Sequence, residues 1–180
     1  MANRHDEFLE RGGRVFGISA DTAPMNAAMV DKLALPFPIL SDPDRDRAIT
    51  PLGFADERDP REIARNGALI ISPDGEVVVS LLGRDYADRP EEDGLLDELT
   101  SLGLPPTTQA PPEVGEIESG ERAMPLEALP PYFRGAKFAA LALRSRHRDL
   151  GDELTGDIER YVEMVERYLE ALPGVSRRRE

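Results

Sequence analysis

The sequence predicts an α/β fold followed by a separate helical extension, and three observations predict it. Short apolar runs rich in β-branched residues alternate with helix-like segments over the first hundred residues. Composition then shifts near residue 104, where "LPPTTQAPPEVGEIESGERA" combines four prolines with small polar and acidic residues and has no apolar periodicity. Beyond it, residues 153–172 carry Leu154, Ile158, Tyr161, Val162, Val165, Tyr168, Leu169 and Leu172 at three- and four-residue steps, the spacing of an amphipathic helix.

The elements follow in order. Residues 3–11 read as a helix and 14–19, within "GRVFGISAD", as a buried strand. Residues 23–34 form a helix entered at Asp21 or Thr22, either of which offers an oxygen to free amide groups. "PFPIL" at 36–40 is a strand whose prolines confine it to a sheet edge. "SDPDRDRAI" reads as a capped helix with Pro43 in its first turn, stopped by Pro51. Residues 67–83 are a β-hairpin turning at Pro73-Asp74-Gly75, where proline sets one dihedral and glycine permits the positive one. Residues 90–102 form a helix with Leu95, Leu96, Leu99 and Leu102 toward one core, and 135–149 a further helix with basic residues near its end.

This ordering divides the chain into 1–103, an α/β domain; 104–123, a proline-rich linker or arm; 124–172, a helical extension; and 173–180, a basic tail. With 180 residues, 40% of them hydrophobic, there is enough chain for one core and a smaller appendage. A formal charge of -13 repels phosphate backbones and speaks against nucleic acid as a partner. No apolar stretch approaches the roughly 20 residues of a membrane helix, and "MANRHDEFLERGG" is too acidic for a signal peptide. The expected location is the cytoplasm, without membrane contact.

The candidate chemistry is sparse. Asp42, Asp44 and Asp46 alternate as in a calcium loop, but Arg47 stands where the sharp turn needs glycine and Gly53 where a bidentate glutamate belongs. A helix cap accounts for these aspartates better. His5 and His147 lie among charged residues and read as surface histidines, so no metal site is expected. There is no phosphate loop, no dinucleotide fingerprint and no nucleophile elbow, and no cofactor is expected. The chain contains no cysteine, which removes disulfides, thiolate metal sites and thiol redox chemistry together.

Three stretches in combination carry a resemblance: "VFGISAD", "LPFPILSD" and "ISPDG". Over residues 5–102 the chain resembles the peroxiredoxin family, also called the alkyl hydroperoxide reductase and thiol-specific antioxidant family. The resemblance implies a thioredoxin-like fold and an antioxidant oxidoreductase. It also implies a thiol peroxidase mechanism, in which a cysteine in a Pro-x-x-x-Thr/Ser-x-x-Cys loop is activated by backbone amides and by an arginine from a later strand. That loop belongs to a strand-helix unit ahead of the "VFGIS" strand, and no counterpart stands there, so the fold expected is an incomplete thioredoxin-like fold with a C-terminal helical extension. No catalytic residue is assigned with assurance. Arg65, just ahead of "GALIIS", is the candidate counterpart of the family arginine, and its other reading is a solvated loop arginine.

In the fold so implied, the absent strand lies between the "VFGIS" strand and the first hairpin strand. Either those strands pair directly, or the gap is filled by the 112–120 arm, by another chain or by residues upstream of Met1. The expected function is therefore a redoxin-like protein without a cysteine for peroxidase chemistry, inactive as this chain, as a truncated product or a degenerate relative. Two alternatives accompany it: an interaction module that homodimerises through the C-terminal helices, and a half-domain completed by another polypeptide.

Overall fold

The structure, a computed structural model, describes residues 1–84, 89–147, 149 and 151–179. Residues 85–88 of the connection after the hairpin, residue 148 of the expected helix 135–149 and residue 180 of the tail lie outside the described residues. The chain forms two compact units, Met1–Gly120 and Glu121–Glu180.

The first unit is a partial thioredoxin-like α/β fold. A 3-10 turn at Ala2–Arg4 leads into α1 (His5–Glu10), then β1 (Gly17–Ser19), α2 (Ala23–Leu33) and β2 (Ile39–Ser41). The hairpin β3 (Gly67–Ile71) and β4 (Val77–Leu82) follows, and α3 (Glu92–Leu102) closes the series. Among the described residues the strands form two separate two-stranded sheets: β1 parallel to β2, with Ile18 opposite Leu40, and β3 antiparallel to β4, with Leu69 opposite Ser80. The Pro73-Asp74-Gly75 turn is present, Gly75 at φ 86° supplying the positive dihedral.

One core ties both sheets together. Leu95, Leu96 and Leu99 of α3 pack with Phe8, Val15, Phe37 and Ile70, and Leu102 lies against the same cluster. Each fully buried leucine contributes about 1.5–3 kcal/mol relative to exposure, so the leucine spacing of α3 bridges sheets that share no ladder. Asn26 of α2 is buried, with its amide Nδ2 donating to Ser41 Oγ at 2.9 Å, and so fixes α2 on β2.

Several expectations need correction. Residues 43–53 are successive turns and no helix. Asp42 is the reason: its carboxylate accepts the N–H groups of Arg47 (3.2 Å), Ala48 and Ile49 (2.9 Å each), and wraps the segment around itself in place of a helix. Neither Asp21 nor Thr22 caps α2 with its side chain. Asp21 instead accepts from Ser19 Oγ at 2.7 Å. His5 is buried, contrary to the surface position expected from its charged neighbours.

Residues 104–120 run extended along the first unit. Thr107 N–H donates to the Leu9 carbonyl at 2.9 Å and Glu118 N–H to the Pro24 carbonyl at 3.2 Å. Between them, Gln109 reaches Val15. The segment passes along α2 and β2, where Pro112–Glu116 line a shallow recess with Ala27, Val30 and Ile39.

The second unit is helical: α4 (Leu129–Arg146), α5 (Asp152–Ala171) and α6 (Pro173–Arg179). The α4 helix starts earlier than the periodicity suggests, with prolines in its first turn where missing N–H groups cost nothing. Met164 and Val165 of α5 and Val175 of α6 are buried. The expected basic tail is thus mostly a short helix, anchored by Gly174 and Val175.

Candidate functional site

A cleft of about 1000 Å³ opens in the first unit between β1 and β3. Ladder geometry determines which backbone groups border it. Gly17 N–H donates to the Pro38 carbonyl and the Ser19 carbonyl accepts from Asp42 N–H, each at 2.9 Å, so the odd residues of β1 face β2. In a parallel ladder the alternate residues point the other way, which sends the N–H and C=O groups of Phe16, Ile18 and Ala20 toward the cleft. On the hairpin, Gly83 N–H donates to the Asn66 carbonyl at 2.7 Å. The even positions of β3 are therefore bonded to β4, and Gly67 and Leu69 turn their amide groups outward. All five residues line the cleft.

The walls are apolar. Phe16 and Ile18 stand half exposed on one side and Ile71 on the other. Phe54 closes on Gly67 so tightly that a Cβ there would lie 2.1 Å from its ring carbon Cε1. Among the described residues the charged side chains lining the cleft are Arg14, Arg65, Arg89 and Asp21.

Arg65 lines this cleft, as a residue at the head of β3 should. Its guanidinium donates from Nε to the Gly83 carbonyl at 2.9 Å, and from Nη2 to the same oxygen. The side chain therefore clasps the end of β4, and no thiol is present for it to activate. Ser19 and Ser72 also border the cleft. Ser19 Oγ donates to Asp21 Oδ2 and accepts Asp21 N–H, a local turn contact. Neither histidine borders the cleft, so the base that activates a serine nucleophile has no histidine source here.

The histidines lie elsewhere. His5 is packed 5.9 Å, centroid to centroid, from the Phe37 ring, and its Nε2 lies 3.2 Å from Gln109 Oε1. That amide oxygen already accepts Val15 N–H, so His5 Nε2 carries the hydrogen in this contact. His147 is exposed at the end of α4. Asp42 is buried with its carboxyl held below the ordinary range by the N–H of Ile49 first, then by those of Ala48 and Arg47. Its carboxylate thus serves backbone amides. Among the described residues no cluster of carboxylates and histidines could hold a metal ion, and no helix is long and apolar enough to cross a membrane.

Two β-edges of a thioredoxin-like domain bordering one cleft agree with the resemblance in "VFGISAD" and "ISPDG", and comparison of the sequence points the same way. Residues 1–80 match the AhpC/TSA family. Over this segment the chain is similar to that family. No curated protein matches the chain. The AhpC/TSA segment runs from the N-terminal turn into β4 and contains both borders of the cleft, β1 and β3, together with Arg65. What it lacks is the thiol on which a redoxin's peroxide chemistry rests. Sequence reasoning identified the strands and Arg65; it missed Phe54 and the 43–53 turns, whose apolar side chains close one end of the cleft. The alternation of Pro and Asp in "SDPDRDRAITPLGF" was the available signal for turns rather than a helix.

Proposed function

We propose that this chain is a redoxin-like protein of AhpC/TSA descent that carries out no thiol peroxidase chemistry of its own. The observation that carries the reading is the complete absence of cysteine from a sequence whose first 80 residues match a thiol-dependent family. A thiolate is the nucleophile that attacks the peroxide in such chemistry, and an alcohol does not replace it at neutral pH. Arg65 has a structural use, the clasp on Gly83, that needs no substrate. A cytoplasmic place of action belongs to this proposal and rests on the charged, acidic composition.

The test is a coupled assay for consumption of hydrogen peroxide and of an alkyl hydroperoxide by the purified chain. No turnover above the protein-free rate is expected. Turnover at a rate typical of thiol peroxidases overturns the reading.

A second reading, self-association through the C-terminal helices, is favoured by one feature. On α4, Tyr132 is 58% exposed, Phe138 67% and Leu143 53%. Aromatic side chains so placed on a helix suit an interface core better than a solvated face. Sedimentation of the full chain beside Phe138→Glu and Tyr132→Glu variants distinguishes the cases. A dimer that both substitutions convert to monomer supports the interface, and a monomeric parent chain counts against it.

A further inference from the structure

We infer that α4 is the seam of a two-fold dimer, in which it packs antiparallel against the α4 of a second copy. The inference rests on the self-association reading above and deepens it by assigning the contact face, the direction of the two helices and their register.

The face follows from what α5 already covers. Phe133 sets its ring 5.2 Å from that of Tyr168 on α5, while Lys137 and Arg144 reach Glu166 and Glu159 of the same helix. These residues define one side of α4. The other side carries Pro131, Gly135, Phe138, Ala139, Ala142 and Arg146, all exposed, with Tyr132 and Leu143 on its flank. A helix that is apolar on both sides suits the interior of a bundle, and α5 covers only one of them.

The occupant follows from the shape of that face. A single large ring, Phe138, projects beside three small residues, Gly135, Ala139 and Ala142, and a Cβ added at Gly135 meets no atom within 4 Å. The face thus offers both a knob and the bed for one, the condition for an isologous contact between copies. The spacing fits as well. About a two-fold axis between residues 138 and 139, Phe138 falls opposite the partner's Ala139, and Gly135 opposite the partner's Ala142. Small side chains at these points let two helix axes approach at the low end of the usual range of about 8–10 Å.

The direction follows from charge and from the flank. Within α4 stand Arg134, Lys137, Arg144 and Arg146 and no acidic residue. Parallel packing sets each cation beside its own copy and aligns two helix dipoles in one sense, whereas antiparallel packing opposes the dipoles and spaces the cations. It also brings Tyr132 beside the partner's Leu143 and the partner's Arg146, so the remaining exposed apolar side chains cover each other and a guanidinium meets the phenol ring. Within one chain Tyr132 and Leu143 lie about 16 Å apart along the helix. A single helix pair about 27 Å long buries less than about 1,200 Å², so the dimer is weak and reversible.

Because the chain has no cysteine, introduced thiols report without background. Gly135→Cys and Ala142→Cys are oxidised with copper phenanthroline, separately and as an equimolar mixture, at concentrations from about 1 to 100 µM. A disulfide needs Cα atoms within about 7 Å, which the antiparallel register provides only between unlike variants. The expected result is roughly tenfold more disulfide-linked dimer in the mixture than in either variant alone. Ala139→Cys, next to the axis, should link to itself, and Glu163→Cys, exposed on α5, should not.

Sedimentation over the same concentrations accompanies the cross-linking, on this chain and on the protein purified from its source. A dimer whose fraction rises with concentration is expected in both. A monomer in either overturns the self-association reading together with the seam, and is the result given by another segment of the same polypeptide lying on α4. A dimer in which Gly135→Cys links to itself as readily as to Ala142→Cys overturns the antiparallel register and leaves self-association standing. A dimer that none of the three α4 cysteines traps has its contact elsewhere and overturns the seam.

Discussion

Gln109 holds Val15 by both of its backbone groups: its side-chain Oε1 accepts the Val15 N–H at 2.8 Å, and its Nε2 donates to the Val15 carbonyl at 2.6 Å. The amide acts as a one-residue strand beside the approach to β1, at a point where Pro36 and Pro38 leave the β2 side short of donors. The same Oε1 receives His5 Nε2, so a single side chain from an extended arm satisfies a buried histidine and a buried valine's backbone together.

Removing that amide should therefore destabilise the first unit out of proportion to its size. Gln109→Ala leaves the Val15 donor and acceptor and the His5 ring nitrogen without their partner, and a buried group left unpaired costs about 1–3 kcal/mol. A loss of about 2 kcal/mol in chemical denaturation is expected. Gln109→Glu keeps the acceptor for Val15 N–H and His5 but sets a carboxylate oxygen against the Val15 carbonyl, so it should not rescue the loss at neutral pH. If Gln109→Ala unfolds at the parent denaturant concentration, the arm is not part of the first unit's stability.

Asp42 makes the 43–53 turns sensitive to acid. Its folded-state pKa lies below the usual 3.8 because the Ile49, Ala48 and Arg47 amides donate to the ionised form. The stabilisation is present above the unfolded value and is lost as pH falls through the lowered folded value. Protection of the Ala48 and Ile49 amides, taken relative to the intrinsic exchange rate at each pH, should fall below about pH 4, and Asp42→Asn should show low protection there at pH 7 with no such acid step. Asp59, brought to about 2 by Arg61, keeps its own turn intact to lower pH. A protection factor at Ile49 that stays constant with pH in the parent chain would contradict this account.

What could be read from the sequence was whatever local pattern dictates. Pro73-Asp74-Gly75 specified the hairpin because glycine alone accepts that dihedral cheaply, and the leucines of α3 and the apolar steps of α5 marked buried faces. The resemblance showed that the strand expected between β1 and β3 is missing, but it left open whether the two pair directly, and among the described residues they stay in separate sheets. Longer-range effects were not. His5 is buried because Gln109, 104 residues away, supplies its partner, and no local composition announces that. Residues 43–53 misled because Asp-Pro-Asp suits a helix start as well as a turn, and the three amides captured by Asp42 decide between them. The "RRR" of 177–179 read as part of a basic tail, whereas it ends a short helix anchored by the buried Gly174 and Val175.

The contact between Phe54 and Gly67 sets one end of the cleft and can be tested by adding a single methyl group. A Cβ on residue 67 would lie 2.1 Å from Phe54 Cε1 and 2.5 Å from the Leu81 carbonyl oxygen. The ring can rotate away, but the carbonyl belongs to the paired β4 strand. Gly67→Ala should cost about 1–3 kcal/mol, the usual range for overpacking. Combining it with Phe54→Ala should not restore stability, because the backbone clash persists. Recovery in the double variant would place the whole strain in the ring contact.

Arg65 offers the sharpest separation of a structural role from an inherited catalytic one. Its guanidinium fork reaches the Gly83 carbonyl, just beyond β4, while Gly83 N–H pairs with Asn66 next to Arg65 itself. The arginine thus closes the open end of the hairpin, and both ends of the clasp lie within two residues of the ladder. Arg65→Ala should speed exchange of Gly83 N–H and lower stability by about 1 kcal/mol, the net value of such a bond. Arg65→Lys should recover only part of this, since an ammonium group cannot present two parallel donors to one oxygen. Neither substitution should change peroxide consumption from the background rate. An arginine retained for catalysis gives the opposite pattern: unchanged exchange at Gly83 in Arg65→Ala, and a peroxide turnover in the parent chain that the substitution abolishes.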